Sequence, residues 1–185
     1  ETGFQHAFKR PSTNDAERDQ PVFTDGLRGQ SLRLREEGET VEWSMHETPV
    51  PSEGTLSFWF RPQWPSYDKG RTQPRTLLNT SAFTSIRKWE RHHFTAFQAS
   101  AFHIRGRHAA PWGRFWNSKT WHHIVVTWSS DHTQKFYLDG ELVGQAMSKP
   151  PQHPDRIALS VTGQSEMDLD ELVLHSRQLA LPEIE

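Results

Sequence analysis

A chain of 185 residues with 8 Trp, 11 Phe and 34% hydrophobic residues has the material for one core. Its formal net charge of −2 lacks the strongly basic balance of a nucleic-acid binder, so no nucleic-acid partner is expected. No apolar run approaches the roughly 18–20 residues that cross a bilayer, so no membrane insertion is expected. The absence of cysteine excludes disulfides and thiolate chemistry but leaves the compartment open, because a sandwich of this size does not need disulfides.

Glu1-Thr2-Gly3 reads as a vector-derived scar of a cleaved secretion leader, which makes residues 4–185 a single domain and its setting extracellular. His6–Lys9 reads as a short first strand and Ser12–Gln20 as loop. Thr24-Asp25-Gly26 is a tight turn, Ser31–Arg35 alternates as a half-exposed strand, and Val41–Trp43 is another strand. Pro49–Gly54 is punctuation. Thr55–Phe60 then places Leu56, Phe58 and Phe60 on one face and Trp59 on the other, because strand side chains alternate with period two. Arg61–Pro74 reads as a long loop, Arg75–Asn79 as a strand, and Phe83–His93 as irregular and basic. His93–Phe97 and Ala101–Arg105 read as a hairpin pair, and Gly106–Lys119 as an aromatic loop.

The organising stretch is Trp121–Gly140. His122, Ile124, Val126 and Trp128 alternate with His123, Val125 and Thr127; Ser129-Ser130-Asp131 turns the chain, and Phe136 and Leu138 resume the inward face. Asp139-Gly140 is a hairpin signal. Ser148–Asp155 holds prolines and reads as loop; Ile157–Val161 and Asp168–Leu174 close the series. About ten or more short strands with little helical periodicity predict an all-β fold of two packed antiparallel sheets.

Three segments carry a family resemblance. The WHH-hydrophobic-VTW strand followed by Tyr137–Gly144 (YLDGELVG), the Thr55–Pro62 strand (TLSFWFRP), and Met167–His175 with its tail to Ile184 together resemble the laminin-G-like branch of the concanavalin A-like jelly rolls. The resemblance implies a jelly-roll β-sandwich. It leaves function open, since that family includes adhesion domains, lectins, carbohydrate-binding modules and, more distantly, glycosidases. It also implies a structural calcium where the early turn meets the closing strand, held by the Asp25 carboxylate, a carbonyl near Gly26, and Asp170.

Glu166, Asp168 and Glu171 have the spacing of the E-x-D-x-(x)-E strand of retaining glucanases, where two carboxylates must lie roughly 5 Å apart. In those enzymes the strand is mid-chain; here it resembles the closing strand instead, so no catalytic residue is expected and a glycoside hydrolase is the alternative. Histidine pairs at 92–93 and 122–123 sit on opposite strand faces and do not make a zinc site. Asn79-Thr80-Ser81 is a glycosylation sequon.

The aromatic loops are the binding candidates: Trp64, Tyr67, Trp89, Trp112 and Trp116, with Arg87, Arg91 and Arg107 beside them. Tryptophan offers an apolar face and a polar N–H, and arginine forks fit carboxylate and sulfate. These residues point to a non-catalytic extracellular module of a larger chain that recognises a glycan or a protein, with a structural spacer as a further alternative. Oligomeric state is not legible.

Overall fold

The computed structural model describes residues 5–9, 21–35, 39–44, 52–64, 75–80, 85–89, 93–97, 118–147, 156–160 and 166–184. They form thirteen strands in two antiparallel sheets and one short helix. The six-stranded sheet has the order β1(Gln5–Lys9), β4(Thr40–Ser44), β12(Arg156–Ser160), β6(Arg75–Thr80), β7(Ser85–Trp89), β8(His93–Phe97). The seven-stranded sheet runs β11(Glu141–Met147), β10(Thr133–Leu138), β9(His122–Trp128), β5(Gly54–Pro62), β13(Met167–His175), β3(Gln30–Leu34), β2(Val22–Asp25). Strands distant in sequence lie side by side, as β5 does between β9 and β13, and the two antiparallel sheets match the expected all-β sandwich.

Inward alternation builds the core. Leu34, Leu56, Phe58, Phe60, Ile124, Val126, Trp128, Phe136, Leu138, Met167 and Leu169 are buried in one cluster on the inner face of the seven-stranded sheet. In register, Phe58 lies opposite Ile124, Leu56 opposite Val126, and Val126 opposite Phe136, so one layer of large side chains crosses three strands. Gly54 opens β5 instead of merely punctuating the chain before it. A Cβ there would lie 2.4 Å from the Trp128 ring and 2.8 Å from the His175 carbonyl, so only glycine fits. The Asp139-Gly140 turn joins β10 to β11 with both residues at positive φ, 50° and 80°, as a two-residue turn matching strand twist requires.

Two sequence readings change. Residues 85–89, inside the stretch read as irregular, are a strand; β7 pairs with both β6 and β8. The partner of His93–Phe97 is therefore β7, while residues 101–105 lie outside the described residues. β13 also bulges. Asp170 faces Trp59 and Val173 faces Ser57, which leaves one extra residue on β13, and Glu171 there has φ of 48°. The bulge keeps the strand's apolar face inward: Met167 and Leu169 before it, Leu172 and Leu174 after it, all pack on the core.

Candidate functional site

The outer face of the seven-stranded sheet carries the described polar chemistry, in cross-strand rows. The first row runs Arg33, Asp168, Arg61, with Trp121 beside Arg61 at the start of β9. Asp168 is fully buried, and its carboxylate is saturated. Arg33 donates from Nε to Oδ1 at 2.6 Å and from Nη2 to Oδ2 at 3.1 Å. Arg61 Nε reaches Oδ2 at 2.7 Å and Gln63 Nε2 reaches it at 3.0 Å. Arg61 also donates from Nη2 to the Asp25 carbonyl at 2.9 Å, and its guanidinium carbon lies 4.7 Å from the Trp121 ring centroid. The hydrogen bonds and charge of Asp168 hold the Arg33 guanidinium above its ordinary pKa, against a smaller opposing effect of burial.

The second row runs Asp170, Trp59, His123. The Trp59 and His123 rings stack with centroids 4.6 Å apart and planes within 10°. Burial pushes the His123 pKa down, partly opposed by the Asp139 carboxylate and a hydrogen bond with the Ile184 backbone. His122, one residue earlier, turns the other way and sits in a chain of its own. Thr120 Oγ1 is 2.8 Å from its Nε2, and Asp139 Oδ2 is 2.7 Å from its Nδ1. Asp139 Oδ1 accepts from the His123 backbone N–H at 2.8 Å. A hydroxyl, an imidazole and a carboxylate in sequence have the connectivity of a nucleophile relay. Here the carboxylate is tied to the backbone and belongs to the hairpin turn, so the chain locks the start of β9 to the end of β10.

Beyond these rows the chain's end covers the same face. Thr55 Oγ1 donates to the Arg177 carbonyl at 3.0 Å and accepts from Leu179 N–H at 2.9 Å. The single helical turn α1(Leu181–Ile184) begins where Glu183 Oε2 accepts from Ala180 N–H at 2.8 Å, half of a capping box. Arg177 grips Glu183 through two hydrogen bonds, which with the Ala180 N–H lower the Glu183 pKa to about 2. Ile184 is then buried against Val125, Tyr137 and Leu179.

The expected site residues fall in four places. Trp64, expected as an exposed platform, is 5% exposed and belongs to the core. Its place explains this correction: the Gln63 N–H bonds the Glu166 carbonyl at 3.0 Å, so the chain keeps β5's alternation for two more residues, with Trp64 inward and Gln63 outward. Arg87 and Trp89 lie on β7, where Arg87 is opposite Thr95 and Trp89 opposite His93, and not in a loop. Tyr67, Arg91, Arg107, Trp112 and Trp116 lie outside the described residues. Of Glu166, Asp168 and Glu171, Asp168 is spent on two arginines and Glu171 sits exposed on the bulge.

The calcium residues are partly brought together. Asp170 does reach the early turn: Oδ2 accepts from the N–H groups of Leu27 at 2.7 Å and Arg28 at 3.2 Å, and Oδ1 from Glu171 N–H at 2.9 Å. A Cβ on Gly26 would lie 2.6 Å from Oδ2, which is why glycine stands there. Two of the expected oxygens are already engaged by the protein's own donors. Backbone N–H dipoles point at the Asp170 carboxylate, and the Asp25 carbonyl is taken by the Arg61 guanidinium and the Ser31 hydroxyl. Among the described residues no three His, Cys, Asp or Glu side chains converge as metal ligands, and no helix is long and apolar enough to cross a membrane.

A two-sheet antiparallel jelly roll whose closing-strand Asp168 and Asp170 bind its own arginines and amides is the class these features define. Residues 35–185 match the family model described as the Concanavalin A-like lectin/glucanases superfamily, and the chain belongs to that laminin-G-type family. The fold is similar to the botulinum neurotoxin serotype D ligand binding domain solved with N-acetylneuraminic acid, with a TM-score of 0.73 and 10% identity over 98% of this chain and 45% of that one. The binding domain of Paraclostridial Mosquitocidal Protein 1 matches with a TM-score of 0.67 and 17% identity over 89% of this chain and 44% of that one. The binding domain of botulinum neurotoxin DC in complex with SialylT matches with a TM-score of 0.67 and 12% identity over 98% and 44%. The chain thus spans less than half of each of these solved structures. No curated protein matches its sequence.

Proposed function

We propose that this domain is a non-catalytic binding module, working outside the cell as part of a larger protein and recognising a glycan. The observation that carries the non-catalytic reading is the state of Asp168. In a retaining glycosidase the paired carboxylates must be open to the sugar, one to attack and one to shuttle a proton. Here Asp168, which stands between the paired Glu166 and Glu171, is fully buried under Arg33, Arg61 and Gln63 and has no oxygen left to assist such a pair, and Glu171 stands on the bulge, out of the strand's regular alternation. Recognition is then favoured over a mere spacer by the binding domains that share this fold. A glycan is favoured over a protein partner by the sialic-acid-bearing complex of a similarly folded domain. The loops with Tyr67, Arg91, Trp112 and Trp116, together with Arg107, supply aromatic faces and guanidinium forks for it, and loops on a rigid scaffold are where binding residues concentrate.

Two assays test this. A panel of β-glucans and galactans should show no turnover above a Glu166→Gln control; activity lost in that control would restore the hydrolase. A glycan array should show binding that weakens when Trp112 and Trp116 are replaced by alanine in a protein that still unfolds cooperatively. Binding to no glycan at all would end the lectin reading and leave a protein partner.

A further inference from the structure

The outer-face row around Asp168 has more charge than its structural task requires. One carboxylate would suffice to neutralise one arginine, yet two guanidiniums meet at Asp168, with Oδ2 accepting from both. Arg33 is fixed by a two-point fork on the carboxylate, and Arg61 is held on three sides, by Asp168, the Asp25 carbonyl and the Trp121 ring. Both side chains still reach solvent, at 30% for Arg33 and 20% for Arg61, and neither spends all five of its N–H donors on the bonds described above. Glu166 is the further acidic group that acts on Arg33, and it does so through space as the weakest of the influences there. Asp170 lies one row away, with its carboxylate engaged by three backbone N–H groups. Trp121 lies beside Arg61 and Trp59 two residues before it on β5; both are half-buried, each with one ring face occupied, by Arg61 and His123 respectively. Preorganised guanidiniums, one of them stacked on an indole, have the chemistry of a site for an acidic sugar: oxyanion on the free N–H donors, apolar sugar face against tryptophan.

We infer that Arg33 and Arg61, with Trp121, form a subsite on the outer face of the seven-stranded sheet for the carboxylate or sulfate of an acidic saccharide. This inference rests on the reading of the domain as a glycan-binding module and places a contact apart from the aromatic loops. The carboxylate and the sulfate ester share the planar or tetrahedral oxyanion chemistry that guanidinium forks bind, and their sources are separable by experiment.

The test is calorimetric titration of the whole domain with three probes: a heparin-derived oligosaccharide, its desulfated form, and a hyaluronan oligosaccharide. Binding to the first alone identifies sulfate, and binding to the last identifies the carboxylate. Arg33→Gln, which leaves the Arg61–Asp168 pair in place, should weaken binding at least tenfold. Glu166→Gln, which removes the opposing charge, should tighten it a few-fold. Raising sodium chloride should weaken binding to both wild type and Glu166→Gln, since exposed charge contacts are screened. Should Arg33→Gln fail to fold, the Arg Nε–H resonances of the wild type give the same answer: those of Arg33 and Arg61 should shift during the titration. Acidic saccharide bound with neither resonance shifting, or with Arg33→Gln binding as wild type while Trp112→Ala with Trp116→Ala does not, overturns the subsite and leaves the lectin reading intact. Neutral glycans bound and acidic ones ignored do the same. No glycan bound in any form removes both.

Discussion

On the inner face of the seven-stranded sheet, Leu56, Phe58, Phe60, Ile124, Val126 and Phe136 pack as a continuous apolar layer. On the outer face of the same sheet stand Arg61, Trp59, His123 and Asp168, joined by hydrogen bonds, ring stacking and ion pairs. The backbone and the register are shared; only parity differs. The inner face is held by a non-directional force, so its residues are exchangeable in kind and their cost scales with the volume removed. The outer face is held by directed contacts, each of which depends on a named partner, and removing one partner leaves another group buried without its counter-charge. The contrast predicts that inner substitutions act through size and outer ones through charge.

The largest effect belongs inside. Phe58→Ala should cost about 3–5 kcal/mol in chemical denaturation, from lost transfer energy plus the cavity; a cost below about 1 kcal/mol would mean the layer is not the core. Next comes Asp168→Asn on the outer face, with a loss of about 3 kcal/mol, because two partly buried guanidiniums lose their charge partner at nearly constant volume. A second change, Arg33→Gln, made in that background should recover part of the loss, and strict additivity would break the claim that charge is what matters there.

The tail of the same face is smaller. Ile184→Ala should cost about 2 kcal/mol and expose Tyr137. Its grip depends on pH in two windows. The Glu183 pKa falls from 4.5 to about 2 in the folded protein, so its contribution is complete above pH 4.5 and lost as pH drops toward 2. The His123 pKa is lowered from 6.5, so the folded state favours the neutral ring, and that contribution fades as pH falls below 6.5. Ile184 methyl resonances should therefore report loosening on acidification; a tail that tightens below pH 6 would contradict both assignments. The smallest effect is expected from calcium. With the Asp170 oxygens bonded to N–H groups and the Asp25 carbonyl bonded to Arg61, millimolar calcium should leave the melting midpoint unchanged. A rise reversed by chelator would show that the turn rearranges to admit the ion.

The inner face was legible in the sequence because alternation is a local signal. His122–Trp128 and Thr55–Phe60 each announce their own parity, and all six residues expected to be buried, Phe58, Phe60, Ile124, Val126, Phe136 and Leu138, are buried. The outer face was not, because its contacts join residues far apart in the chain: Arg33 and Asp168 are 135 positions apart, and Leu27 and Asp170 are 143. Approach of the closing strand to the early turn followed from family resemblance, but which atoms meet there did not: the Leu27 and Arg28 amides reach the Asp170 carboxylate. Trp64 misled for a different reason. A proline-containing stretch after Arg61 suggested a loop, whereas β5's alternation runs on past its last pairing and turns the indole inward. The bulge at Glu171 left no trace in composition, since a non-glycine residue takes the left-handed conformation there.

Thermal unfolding of Asp168→Asn beside Glu166→Gln, with both proteins and the wild type assayed on β-glucans, tests most directly whether the closing strand's carboxylates hold the sheet or cleave a glycoside. The account predicts a midpoint lowered by roughly 6–12 °C for Asp168→Asn, the shift about 3 kcal/mol gives in a chain of this size. Glu166→Gln should melt close to wild type, and none of the three should hydrolyse the glucans. An Asp168→Asn protein that melts with the wild type, together with wild-type hydrolysis that either substitution abolishes, would contradict it.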